Sequence, residues 1–243
     1  MNISPLEQAR EALRGAKRVF AITGAGVSAE SGVPTFRGSD GVWKKLDPYK
    51  LATPEAFAGD PAFVWQWYDE RRQNLLNVKP NPAHLALAQL ESQVDAFFLL
   101  TQNVDDLHEQ AGSKTVVHVH GSIWQVRCTR EETVYEDRRA PMPELPPRCE
   151  ICGALLRPNV VWFGEIINLD AVHQAESFLR SGGIDAVLLI GTEAVFPYII
   201  HWAQTAQNRG PLIEINIGKT GLSPYADIRL DGKAGEILPI ITK

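Results

Sequence analysis

A histidine at the end of an apolar run is the feature of this sequence that most directly suggests chemistry. His120 closes Thr115-Val116-Val117-His118-Val119-His120 and is followed at once by Gly121. Imidazole is the side chain best matched to proton transfer near neutral pH. Period-two alternation puts Val117 and Val119 on one face and His118 and His120 on the other. His120 then falls at a strand terminus as a candidate general base. A satisfied structural histidine and a metal ligand are the competing readings, and His118 suits the structural role. A second polar group follows the apolar run 96–100 (AFFLL), where Gln102, Asn103 and Asp105 bring amides and a carboxylate to the end of a buried strand. Parallel sheets present their ligand groups there. An Asx turn capping a helix is the plainer alternative.

Thr23-Gly24-Ala25-Gly26-Val27-Ser28 follows another apolar run, 19–23. Small residues at such a turn let backbone approach a phosphate, and amides opening the next helix can hold it. The tract is neither GxGxxG, since the third glycine is misplaced, nor a P-loop, since no Gly-Lys-Ser/Thr follows. Alone, it is as readily a tight turn. Its continuation, Ser28 to Arg37, mixes small, polar, aromatic and cationic residues without periodicity, and Phe36 beside Arg37 suits a ligand-lining loop. Farther on, Tyr68 and Arg71 are three apart and share one helical face. A phenol and a guanidinium fork make a good receptor for a carboxylate. Spacing alone nevertheless favours a surface arginine beside an amphipathic aromatic.

The elements that must position these groups can be read from local signals. Ser4, Pro5 and Glu7 open a first helix with Leu6, Ala9 and Leu13 on one face and Gly15 as its stop. Asp60-Pro61 opens a helix to about Leu76, and Asn81-Pro82 another over 84–90. Strands are expected at 19–23, 96–100, 115–120, 159–163, 186–191 and 212–216, with helices near 170–180 and 196–207. Strands separated by helices of this length predict an α/β fold with a parallel, Rossmann-like sheet. That core takes in residues 1–37, 81–120 and 160–243. Residues 38–80 form the helical part of a smaller inserted domain. Residues 121–159, with charge clusters, PMPELPP at 141–147 and every cysteine of the chain, form a module expected to be held by something other than a large core.

Taken together the motifs resemble the sirtuin (Sir2) family of NAD-dependent protein deacylases. GAGVSAESGVPTFRG (24–38) is similar to that family's signature loop, and TQNVDDLHEQAG (101–112) and His120-Gly121 to its second and third motifs. LRPNVVWFGE (156–165), Gly191-Thr192 and Ile215-Asn216 extend the likeness over nearly the whole chain. The resemblance implies NAD as a consumed co-substrate, bound by Gly24, Ala25, Gly26, Ser28, Phe36, Arg37, Gln102, Asn103, Asp105, His120, Gly191, Thr192, Glu193 and Asn216. Asn103 would orient a ribose or a water, Asp105 would accept from the carboxamide, and His120 would deprotonate the ribose diol. Asn103 and His120 are thus the implied catalytic pair. The acyl-lysine substrate would run along Val161, Phe163, Gly164 and Glu165. Tyr68-Asp69-Glu70-Arg71 resembles the Tyr-x-x-Arg of class III sirtuins, which prefer succinyl and malonyl lysine; Phe36 and Trp43 would line the apolar part of that tunnel.

Two departures stand out. A structural zinc site wants four ligands, and Cys128, Cys149 and Cys152 supply three, with Glu131 where the family pattern has cysteine. Three readings stay open: a carboxylate or other fourth ligand, a partly occupied site, or a module that folds without metal. Glu193 replaces the serine that usually follows Gly-Thr; a carboxylate there would repel a pyrophosphate but could accept from a ribose diol. The function classes in competition are a plain deacetylase, an ADP-ribosyl-transferring relative, and a non-catalytic NAD or ADP-ribose sensor. A classical dehydrogenase is disfavoured by the missing GxGxxG.

The formal net charge of -5 argues against bulk nucleic-acid binding. Apolar runs are too short to span a bilayer, so no membrane partner is expected. Few cysteines and no export-like start point to the cytoplasm.

Overall fold

The computed structural model describes residues 3–35 and 47–243. Phe36, Arg37 and Trp43, all expected near the ligands, lie outside the described residues. The chain runs α1 (Pro5–Arg14), β1 (Arg18–Thr23), α2 (Ala25–Ala29), a 3-10 turn (Pro48–Lys50), α3 (Pro54–Gly59), α4 (Pro61–Leu75), α5 (Pro82–Gln93), β2 (Ala96–Thr101), α6 (Leu107–Gln110) and β3 (Val116–His118). It continues with β4 (Gly121–Cys128), β5 (Val134–Glu136), β6 (Leu156–Val160), α7 (Leu169–Arg180), β7 (Ala186–Ile190), α8 (Pro197–Gln207), β8 (Leu212–Asn216), β9 (Ile228–Asp231) and α9 (Ala234–Ile241).

Helix starts follow their caps. Ser4 Oγ accepts from the Glu7 amide at 3.3 Å, Asp60 Oδ1 from the Phe63 amide at 3.0 Å, and Asn81 Oδ1 from the Ala83 amide at 2.9 Å. In each case proline follows the cap, where its missing N–H is no loss. Each such cap contributes about 0.5–2 kcal/mol.

The main sheet has six strands in the order β3-β2-β1-β7-β8-β9, every pairing parallel. This is the Rossmann-like core. Because helices cover both faces, the central strands β1, β2 and β7 are buried along their length rather than alternating, whereas the edge strand β9 alternates. Val19 and Ala21 of β1 pack with α1, α5 and α9, whereas Phe20 and Ile22 pack with α7 and α8. Strand order reverses between β1 and β7, opening a crevice at the carboxyl ends of the central strands.

The smaller sheet is antiparallel, β5-β4-β6. It is not coreless: Ile123, Trp124 and Val126 of β4 are buried with Trp65 and Tyr68 of α4 and with Trp162. The inserted module therefore shares an aromatic core with the helical segment. Two expected strands are corrected. The third strand ends at His118, so Val119 and His120 lie in the turn beyond it. The buried strand expected at 159–163 instead spans Leu156–Val160 as β6, which pairs with β4; past Val160 the Val161 amide donates to the His120 carbonyl at 2.9 Å.

Candidate active site

The crevice widens into a cavity of about 750 Å³ between the main sheet, α4 and the segment following β6. Its floor is a backbone crossing. Gly26 N donates to Gly191 O at 2.8 Å and Gly24 N to Ile190 O at 3.0 Å. A Cβ on Gly26 would stand 2.7 Å from the Gly191 Cα. Glycine is thus needed for contact between two βα turns, and these two amides are already engaged with the end of β7. Gly24, Ala25 and Gly26 still line the cavity, as do Gly191, Thr192, Glu193 and Asn216. Gln102 Nε2 donates to Thr192 Oγ1 at 2.8 Å, and Asn216 Nδ2 to Thr192 O at 2.9 Å, tying the ends of β2, β7 and β8 together. Glu193 is exposed on the rim.

At the end of β2, Asn103 is buried but reaches the cavity. Its Nδ2 donates to Ser28 Oγ at 3.0 Å, and Ser28 Oγ donates to Asp105 at 3.1 Å. Ser28 and Asp105 do not line the main cavity. They lie behind Asn103 in an adjoining niche of about 10 Å³, which also touches Arg71. That is room for a water. Burial pushes the Asp105 carboxyl up, against the Leu107 amide and the Ser28 hydroxyl.

His120 is oriented from both sides. Nδ1 lies 2.9 Å from the Gln102 carbonyl and Nε2 lies 2.6 Å from Tyr198 Oη. A carbonyl only accepts, so Nδ1 carries the proton in the neutral ring and Nε2 offers its lone pair. Burial, opposed by the Gln102 carbonyl, lowers the imidazole to about 4. His120 is therefore neutral at pH 7 and able to take a proton. His118 is different. Burial opposes its charge, but Glu109, 2.6 Å from Nε2, holds it above the usual imidazole value, and Nδ1 meets the Asn103 carbonyl at 3.0 Å. It fixes the loop that carries Asn103. Gly121 follows His120 because the backbone there has φ +75 and a Cβ would stand 2.1 Å from Asn159 O.

Tyr68 and Arg71, one turn apart on α4, both line the cavity that holds His120 and Asn103. Tyr68 is buried, and its Oη accepts from Trp162 Nε1 at 2.9 Å, leaving its own proton to donate. Burial pushes the phenol up, and the Arg71 charge opposes this. Arg71 stacks 4.7 Å over the Trp67 ring, and burial lowers its guanidinium. Its neighbour Arg72 points elsewhere: fully buried, it donates to the Ile123 carbonyl at 2.7 Å and faces Asp137 at 3.7 Å. One arginine holds the smaller sheet, the other faces the cavity.

Val161, Phe163, Gly164 and Glu165 form the opposite wall. The Phe163 amide donates to Ala52 O at 2.9 Å. Glu165 is held by Arg157 at 2.5 Å and by the Trp162 amide at 2.8 Å. Burial would raise its carboxyl, but these partners keep it below the ordinary value. Residues not anticipated from sequence also line the cavity: Tyr198 and Phe196 at the start of α8, and Gly232, Lys233 and Ala234 between β9 and α9. The strand-Gly-helix pattern of 228–235 could have flagged the latter; nothing local marks the direction of Tyr198.

The ligand atoms of Cys128, Cys149 and Cys152 lie within 4.8 Å of one another, and among the described residues no His, Asp or Glu completes that group. Glu131 is exposed. Its amide and that of Arg130 donate to Cys128 Sγ at 3.4 and 3.5 Å. The amides of Cys152 and Ile151 draw the Cys149 thiol down to about 7. The donors at Cys149 favour its thiolate. The three cysteines fit three corners of a tetrahedral zinc site and leave the fourth to a ligand from elsewhere.

With this geometry in view, comparison with known proteins is decisive for the family. The sequence profile of the Sir2 family matches residues 24–197. NAD-dependent protein deacylase 2 of Pyrobaculum aerophilum is 45% identical over 98% of this chain and 93% of its own length. NAD-dependent protein deacylase 1 of Archaeoglobus fulgidus is 46% identical over 96% and 94%. Among solved structures, a Sir2 homologue in complex with NAD superposes with a TM-score of 0.90 at 45% identity, over 97% of this chain and 92% of that one. A Sir2 protein bound to a myristoylated histone peptide superposes at 0.77, with 28% identity over 98% and 94%. The chain belongs to the Sir2 family of NAD-dependent protein deacylases.

Proposed function

We propose that this sirtuin removes acidic acyl groups, succinyl and malonyl, from protein lysines, and acetyl more weakly, consuming NAD. The observation that carries the acyl preference is Tyr68 and Arg71 opening into the same cavity as His120 and Asn103. A guanidinium and a phenol proton, partly shielded from water, would pair with the distal carboxylate of the acyl chain. The stacking of Arg71 on Trp67 limits the freedom it loses on binding.

The chemistry follows the family's logic. The acyl-lysine carbonyl oxygen attacks C1′ of the nicotinamide ribose and nicotinamide leaves. His120, neutral and with Nε2 toward the cavity, takes the proton of the ribose diol; the 2′-oxygen then attacks the resulting imidate carbon. Water releases free lysine and O-acyl-ADP-ribose. Gln102 fixes the His120 tautomer through its carbonyl, and Asn103 orients the ribose or a water. Val161 to Glu165 would seat the peptide. Zinc, where bound by Cys128, Cys149 and Cys152, would cross-link β4 to the 149–152 turn and take no part in the reaction.

The test is turnover on matched acetyl-lysine and succinyl-lysine peptides. Wild type should favour succinyl-lysine, and Arg71→Met should lower kcat/KM for that peptide by about 10- to 100-fold, the worth of a hydrogen bond to a charged group. An acetyl preference indifferent to Arg71→Met would leave a plain deacetylase. Activity on neither peptide in wild type would favour a longer acyl group, ADP-ribosyl transfer or a sensor.

A further inference from the structure

Tyr198 and a ribose hydroxyl need the same atom. With the proton on Nδ1, His120 has one lone pair, on Nε2, and the Tyr198 phenol lies 2.6 Å from it. Burial pushes the phenol up, so it stays protonated and acts as donor. The ring is held in place. Tyr198 is the second residue of α8, after Pro197; it stacks on Phe196 at 5.4 Å and 11°, and packs against Trp202 at 5.7 Å. His120 meets both Phe196 and Tyr198 edge-on, at 5.4 and 6.0 Å. The phenol is thus anchored by an aromatic ladder along one end of α8 and also lines the cavity.

We propose that the Tyr198 hydroxyl is an internal competitor of the substrate ribose, occupying the His120 lone pair and having to release it before a ribose hydroxyl can deliver its proton. The inference rests on the reading of His120 as the base. Tyr198 is a positioning residue in this account: it keeps Nε2 capped and the ring oriented, and it does not itself exchange a proton with substrate. Each productive binding event then replaces one hydrogen bond with another. Part of the affinity for the ribose offsets the loss of the internal bond.

Calorimetry with ADP-ribose and with ADP, which lacks the second ribose, separates this from a structural role. Tyr198→Phe keeps the ring and removes the hydroxyl. It should bind ADP-ribose about three- to tenfold more tightly than wild type, the span of one net hydrogen bond, and bind ADP as wild type does. In a His120→Ala background the same change should give no gain, because no lone pair remains to be released. The His120 Nε2 resonance in ¹⁵N-labelled protein should also move on Tyr198→Phe. Unchanged or weaker ADP-ribose binding, an equal gain for ADP, a gain that persists without His120, or an unmoved resonance would each overturn the proposal. So would lost turnover in Tyr198→Phe without tighter ADP-ribose binding, which would make the phenol a proton carrier. Retained turnover in His120→Ala removes the base instead, and is measured separately.

Discussion

His120 concentrates the chemical argument at the scale of single residues. Its neutral state comes from burial, its tautomer from the Gln102 carbonyl, and its Nε2 lone pair meets the Tyr198 phenol. His120→Ala should lower turnover by about 10²- to 10⁴-fold while leaving ADP-ribose measurably bound; steady-state rates and calorimetry check the two halves. Gly121→Ala should lower Tm by roughly 5 °C or more, since φ +75 and the Asn159 carbonyl at 2.1 Å both reject a Cβ. His120, Asn103, Gln102, Tyr68 and Arg71 were legible because their types and spacing follow from local pattern and motif. Ser28 and Asp105, expected among the ligand contacts, support Asn103 and line the small niche behind it. Depth behind a surface is a tertiary property that motif order does not encode. The same holds for Arg71 and Arg72, whose divergence depends on which helix face meets the smaller sheet.

At the scale of elements, the helices opened by Ser-Pro, Asp-Pro and Asn-Pro begin where those pairs predict, because a cap and a proline act through the backbone within a few residues. The apolar parallel strands β1, β2, β7 and β8 were equally plain, whereas β9 and α9 were not expected from the sequence. Nor was the antiparallel sheet. β4 and β6 pair across a span in which β5 alternates exposed and half-buried residues, and no turn signature joins them. The strand expected to run to 120 stops at His118 for a related reason: beyond it the His120 carbonyl accepts from the Val161 amide. Two element contacts yield predictions. Gly26→Ala should weaken NAD binding and lower Tm together, since the added Cβ forces β1 and β7 turns apart. In the cysteine turn, metal analysis of purified chain should find zinc, and Cys149→Ser should lose it with a fall in Tm. A stable chain carrying no zinc would instead support the metal-free reading.

For the molecule as a whole, buried histidines set the response to acid. His84 is lowered to about 4 by burial, as is His120, and His108 is lowered well below the usual imidazole value by burial and the neighbouring histidines. The unfolded chain takes up protons near the ordinary value of 6.5, the folded one only near 4. Stability is therefore complete above about 6.5 and declines as pH falls toward 4. His118 has the opposite sign, stabilising below 6.5 and losing that contribution as pH rises through its elevated folded value. Asp105, whose carboxyl burial pushes up, has the same sign as His118; with three lowered histidines against these two, Tm should still fall between pH 7 and pH 5, followed by calorimetry. A last consequence concerns how this enzyme can change. The carbonyl of His120 is bonded to the amide of Val161, so the proposed base and the wall proposed to seat the peptide share a single joint. Substitutions that reshape that wall to recruit new protein targets will also shift the base and slow every substrate alike. Of the pair proposed to read the acyl group, Tyr68 is tied to this wall through Trp162, whereas Arg71 stacks on Trp67 of its own helix, α4. On this geometry the chain can change which modification it removes through Arg71 more freely than through Tyr68 or through the peptide wall.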